Sequence, residues 1–231
     1  MMFILVACEE SQRVCIEFRK KGHIAFSCDI IDCSGEHPEW HIKEDVLKIL
    51  NGNTYFYTMD GEKHYVNKWD MIIAFPPCTD LAVSGAAWFE RKRNDGSQRR
   101  SIEFFCNFLT VDCEKICIEN PVGIISGDYI TKHFPDLAEK YNLPKSPTQK
   151  IHPWMFGDNF SKTTCLWIKG LEPLKPDITE EPEMEYFYYP NSNKRQSMWF
   201  YKTLSLPKEQ RQKERSKTFP GIAQAMANQW G

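Results

Sequence analysis

With 231 residues, 42% of them hydrophobic and 13% aromatic, the chain is long enough for a full core and too apolar for a disordered or fibrous protein. Lys and Arg number 29 against 31 Asp and Glu, so nucleic-acid binding must rest on a local basic patch and not on global charge. Nine cysteines without a framework spacing fit a reducing compartment, and a cytoplasmic location is expected.

The apolar opening MMFILVAC lacks a charged leader and a cleavage site, so it reads as a first strand, residues 3–8, and not as an export signal. Residues 11–22 predict an amphipathic helix, with Val14, Ile16 and Phe18 among charges and a stop at Gly22. A second strand is expected over 24–30, a short helix over 44–52, and a hairpin about Asp60-Gly61. A strand at 71–75, a basic loop, a helix at 101–112 and a strand at 115–120 follow. Beyond Pro121 prolines recur and the pattern loosens, with a strand-like run at 163–171 and a last helix at 220–230 that opens on proline. No run reaches the roughly 20 apolar residues of a membrane span. The alternation predicts a Rossmann-like α/β fold: a mostly parallel sheet with helices on both faces and an irregular C-terminal part.

Three chemically capable side chains fall at predicted strand ends. Asp29 closes the second strand, Glu119 closes the strand at 115–120, and Cys78 follows the strand at 71–75. Ligands of open parallel sheets bind at the carboxyl edge, so the three are expected to share one crevice, with Asp29 placed for the hydroxyls of a ribose. Pro76 and Pro77 remove two backbone donors, end the strand, and present Cys78. Read alone, Asp29 is equally a surface acid and Cys78 a small core residue.

These residues carry a resemblance to a family. PPCTDLAVSG, with Pro77, Cys78, Ser84 and Gly85, and IENPV, with Glu119 and Asn120, resemble two motifs of the cytosine carbon-5 DNA methyltransferases, in particular short phage and prophage members. The final RSKTFPGIAQAMANQW is similar to that family's last motif, so the likeness runs over nearly the whole chain. It implies S-adenosylmethionine as cofactor, with Asp29 on its ribose, Asp45 near its adenine, Glu9 or Glu10 on its ammonium, and Ala7, Ile30, Val46, Pro76 and Ala223 lining its pocket. It also implies Cys78 as nucleophile toward carbon 6, Glu119 at ring nitrogen 3, and Asn120 orienting the pocket. The target base must leave the duplex for this chemistry. Ser84, Arg91, Arg93, Arg99 and Arg100 are expected at the nucleic acid, on a loop with Gly96 as hinge, and Lys162 is the nearest counterpart of a base-contacting arginine. The chain departs from the family where VACEESQ replaces a glycine-rich turn and Thr79 a glutamine.

Residues 1–171 and 217–231 are thus expected to form the catalytic domain, with 172–216 a small insertion. In that insertion, aromatics interleaved with Lys194, Arg195 and Lys202 are expected to bind bases and phosphate, or else to close the core. Cys28, Cys33, His37 and His41, within fourteen residues, leave zinc open as an alternative, although no metal is expected. The whole predicts a monomeric, phage-encoded enzyme acting on double- or single-stranded DNA or a nucleotide. A catalytically silent nucleic-acid or nucleotide binder, or a pyrimidine modification with another electrophile, are the alternatives.

Overall fold

A computed structural model describes residues 1–190 and 195–231. Its elements, in chain order, are β1 (Phe3–Ala7), α1 (Arg13–Lys20), β2 (Ile24–Asp29), β3 (His41–Lys43), β4 (Thr54–Tyr57), β5 (Lys63–Val66) and β6 (Met71–Ala74). There follow α2 (Phe89–Asn94), α3 (Ser97–Thr110), β7 (Lys115–Pro121), α4 (Tyr129–His133), α5 (Pro135–Tyr141), β8 (Gln149–Ile151) and β9 (Thr164–Lys169). The chain closes with β10 (Tyr186–Tyr188), β11 (Arg195–Ser197), α6 (Met198–Thr203), α7 (Lys208–Ser216) and α8 (Pro220–Trp230).

Among the described residues the central sheet orders its strands β3-β2-β1-β6-β7-β9-β8. From β3 to β7 all pairs are parallel, and β9 runs antiparallel between β7 and β8. This is the Rossmann-like α/β fold expected from the sequence. Side chains alternate across the strands with period two, and the alternation sorts them onto two cores. Leu5, Ala7, Ile72, Ala74, Ile116 and Ile118 face Ile102, Phe105 and Cys106 of α3. Ile4, Val6, Met71, Ile73 and Cys117 face α1 and α8, through Val14, Phe18, Ile222 and Met226. Each fully buried aliphatic side chain contributes about 1.5–3 kcal/mol, so both faces hold the sheet.

Three expectations need correcting. The helix expected over 44–52 is a single 3-10 turn, Val46–Lys48: Asp45 caps it by accepting from Leu47 N–H at 3.0 Å, and Gly52, at φ 66°, turns the chain into the β4–β5 hairpin. The basic loop is helical, because Phe89 buries against the core and anchors α2. The next helix begins at Ser97 and not at 101, since Gly96 takes φ 74° and Asp95 accepts from Ser97 N–H at 2.9 Å. Arg99 and Arg100 therefore ride on α3 and on no flexible loop.

No helix of the described residues is long and apolar enough to cross a membrane. Lys194 lies outside the described residues.

Candidate active site

The parallel register lines up the strand ends. Ala7 pairs with both Cys28 and Ala74, and Ala74 pairs with Ile118. One residue further on, Cys8, Asp29, Phe75 and Glu119 stand in a row along the carboxyl edge. The chain order reverses between β1 and β6, and that reversal opens the crevice in which such sheets bind ligands.

On the β1–β2 side the crevice is a cavity of about 510 Å³, with Cys8, Asp29, Ile30, Asp45, Val46 and Pro77 in its wall and Arg100 opposite. The volume suits a nucleoside-sized ligand. Burial raises the pKa of Asp29, with the Ile31 and Ile30 N–H groups opposing. Three residues expected to line the pocket are not in its wall. Ala7 is fully buried in the core facing α3, and Ala223 is packed in the opposite core, because the period of α8 turns it toward α1. Pro76 is buried too, but its carbonyl has a different use, described below.

The turn from β1 into α1 does its work without glycine. Cys8 and Gln12 hold φ of 59° and 58°, conformations that cost a side-chain-bearing residue energy. Gln12 is fully buried: its amide donates to Ser27 Oγ at 3.2 Å and to the His37 carbonyl at 2.9 Å, and its oxygen accepts from His37 N–H at 3.1 Å. Glu9 accepts from Val14 N–H at 2.7 Å and Cys15 N–H at 3.2 Å, closing the first turn of α1 as a cap would. Burial pushes the Glu9 carboxyl up to about 7 against those bonds. With both oxygens engaged, Glu9 is not the free acid expected for an ammonium group. Glu10 makes no such bonds: both its oxygens are buried with no hydrogen-bond partner among the described residues, Lys213 Nζ lies 3.7 Å from Oε2, and its charge raises the pKa of Asp29.

Across the switch point stand Cys78 and Glu119. Burial raises the Cys78 thiol, and the Glu119 charge raises it further, while Lys162 and Lys92 pull it down. Burial also raises Glu119, opposed by Lys162 and by the Thr164 hydroxyl. The thiol and the carboxyl therefore sense each other, with one lysine addressing both. Asn120 donates to the Pro76 carbonyl at 2.8 Å and tethers the Cys78 loop to the end of β7, while its own Oδ1 has no partner among the described residues.

Helices α2 and α3 cover this loop. Lys92 turns inward, donates to the Thr79 carbonyl at 2.5 Å and pairs with Asp80 at 3.2 Å. Asp80 also accepts from Ser101 at 3.0 Å. Arg93 donates to Tyr129 Oη at 2.6 Å, and Arg99 is held by Asp136 and Glu103. Of the arginines expected at nucleic acid, Arg91 is solvent-facing and Arg100 lines the cavity, whereas Arg93 and Arg99 are occupied by protein partners. Ser84 lies exposed on a 3-10 turn, Val83–Trp88, beside the exposed Trp88.

The C-terminal segment returns to the site. Lys162 sits over the Phe219 ring and donates to the Arg215 carbonyl of α7 at 3.3 Å. Arg195 stacks on Tyr186 at 4.2 Å. Three of the four zinc candidates are turned to other partners. The Cys28 thiol donates to the Glu44 carbonyl, His41 bonds Ser27 and Ile31, and His37 stacks on Trp40 at 3.8 Å. Among the described residues no group of three or more potential ligands is placed to hold a metal ion. Sequence reasoning missed Thr164 beside Glu119, because only the antiparallel pairing of β9 with β7 brings it there.

No family model matches the chain, and no curated protein matches it. Among solved structures it is similar to a proposed DNA modification methyltransferase encoded within a prophage, from E. coli. Identity is 14% and the TM-score 0.42, over 93% of this chain and 69% of that one.

Proposed function

We propose that the chain is a cytosine carbon-5 methyltransferase-like enzyme that acts on DNA. What supports the reading above all is one juxtaposition: Pro77, in the wall of the cavity that holds Asp29 and Asp45, is the immediate neighbour of Cys78. A nucleoside cofactor held there would lie against the loop that carries Cys78. S-adenosylmethionine fits the donor set: Asp29 for the ribose hydroxyls, Asp45 with Ile30 and Val46 around the base, and, outside the wall of that cavity, Glu10 of the β1–α1 turn, which accepts no hydrogen bond, for the ammonium. When bound it supplies an electrophilic methyl group.

The chain's own residues do the rest. The Cys78 thiolate adds to carbon 6 of a flipped cytosine, and Glu119, its carboxyl raised by burial, donates a hydrogen bond or proton at ring nitrogen 3. Electron density then reaches carbon 5, the atom that would take the methyl from the sulfonium, whose neutral thioether departs. Loss of the carbon 5 proton to a solvent base, return of the nitrogen 3 proton to Glu119 and expulsion of the Cys78 thiolate restore the ring. Lys162, beside both groups, favours the thiolate over the thiol. Asn120 positions the loop through Pro76. Arg91, exposed on α2, is a cation that phosphate can reach, with Arg195 in the 172–216 insertion.

Transfer of a radiolabelled methyl group from S-adenosylmethionine to double-stranded DNA, single-stranded DNA and free dCMP tests this, with Cys78→Ala as control. Label that depends on Cys78 is expected on a DNA substrate. Absence of label from all three, in folded protein, overturns it.

A further inference from the structure

Helix α7 is attached unusually lightly. None of its residues is buried among the described residues, and the contact it makes with an aromatic ring is the Arg215 guanidinium stacked on Phe200 at 3.4 Å. Its inner side is pinned by arginines: Arg211 donates to the Leu204 carbonyl at 3.3 Å, and Arg215 to Thr203 Oγ1 at 2.8 Å and the Phe200 carbonyl at 3.2 Å. Two further contacts reach the site. The Arg215 carbonyl takes the Lys162 ammonium, and Lys213 approaches Glu10 Oε2 at 3.7 Å. At that distance Lys213 meets the charge of Glu10 without donating a hydrogen bond, and both carboxylate oxygens keep their lone pairs open. A buried carboxylate that faces a cation yet accepts no hydrogen bond is held ready for a better donor.

We infer that Lys213 is a built-in competitor for the ammonium of the amino-acid end of the cofactor, so that binding of S-adenosylmethionine displaces Lys213 from Glu10 and loosens α7. The inference rests on the cofactor reading above and adds a regulatory part to it. Primary ammonium groups of ligand and protein compete for one anion, and the ligand's would supply the hydrogen bonds that Lys213, at 3.7 Å, does not make. A side chain 48% exposed exchanges readily with solvent, which makes the displacement inexpensive.

Calorimetric titration of the full chain with S-adenosylmethionine and with 5′-methylthioadenosine, which lacks the amino-acid end, tests it on wild type, Lys213→Met and Glu10→Gln. Lys213→Met is expected to tighten S-adenosylmethionine by about two- to five-fold, the range of a partly exposed ion pair, and to leave 5′-methylthioadenosine unchanged. Glu10→Gln is expected to weaken only S-adenosylmethionine. If both ligands bind wild type and Lys213→Met tightens neither, or tightens both alike, the competition is refuted while the cofactor site stands. If neither ligand binds any of the three proteins, the cofactor reading fails and the competition with it.

Discussion

Asn120 donates its side-chain amide to the carbonyl of Pro76 at 2.8 Å, across the boundary between two parallel strands. Pro76 and Pro77 have no N–H to offer, so the loop that carries Cys78 has lost two of the bonds that fix a strand exit. One side chain from the neighbouring strand replaces them. Asn120→Ala is expected to destabilise the fold by about 1–2 kcal/mol, through the unpaired Pro76 carbonyl, and to speed alkylation of Cys78. Urea unfolding and peptide mapping after iodoacetamide check it; unchanged labelling at Cys78 refutes the tether.

Cys78 should titrate with its neighbours. Glu119 raises the thiol pKa and Lys162 lowers it. Removing the negative charge in Glu119→Gln is expected to shift the alkylation midpoint of Cys78 to lower pH, and Lys162→Met to higher pH. Rate against pH for the three proteins decides, and shifts of equal sign contradict the arrangement.

Catalysis should separate the two groups. Cys78→Ala is expected to abolish methyl transfer, and Glu119→Gln to lower kcat by about 10²- to 10⁴-fold, the usual weight of general acid–base assistance. A Glu119→Gln enzyme of wild-type kcat removes Glu119 from the mechanism.

Glu9 makes stability depend on pH. Its carboxyl is raised from 4.5 to about 7 in the folded chain, so the folded state binds more protons than the unfolded one between those values. Stability from this group is full below about 4.5 and is lost as pH rises through 7, by an amount on the order of 3 kcal/mol. Glu9→Gln, which copies the neutral form, is expected to gain on wild type by that order between pH 5 and pH 8. Denaturant unfolding at both values measures it, and an equal difference at the two removes Glu9 as the cause.

The strands and the row of strand ends were legible because buried parallel strands are short apolar runs with abrupt stops. Phe75 followed by two prolines and Asn120 followed by Pro121 are such stops, so Cys78 and Glu119 stand out. Helices defined by caps and burial were harder to read. ERKRNDGSQRR looks like a solvated loop by charge, yet Phe89 before it and the Asp95–Ser97 cap within it make it two helices. The partners of its charges were out of reach altogether, since Asp136 and Tyr129 meet Arg99 and Arg93 from 36 or 37 residues further along. The acidic turn was half legible. The adjacent pair in VACEESQ showed two acids, and only the start of α1 shows that Glu9 serves the helix while Glu10 accepts no hydrogen bond.

The insertion of β9 between β7 and β8 also makes the site depend on distant chain. Thr164 and Lys162 arrive on a segment that pairs antiparallel with a strand some 45 residues earlier; both lower Glu119, and Lys162 also lowers Cys78 directly. Burial and the Glu119 charge hold the folded thiol above its ordinary value, so the site keeps Cys78 less ionised than a free cysteine, and the lysine from the β9 side is the counterweight. Fraying of this edge of the sheet would remove that counterweight and leave the nucleophile muted.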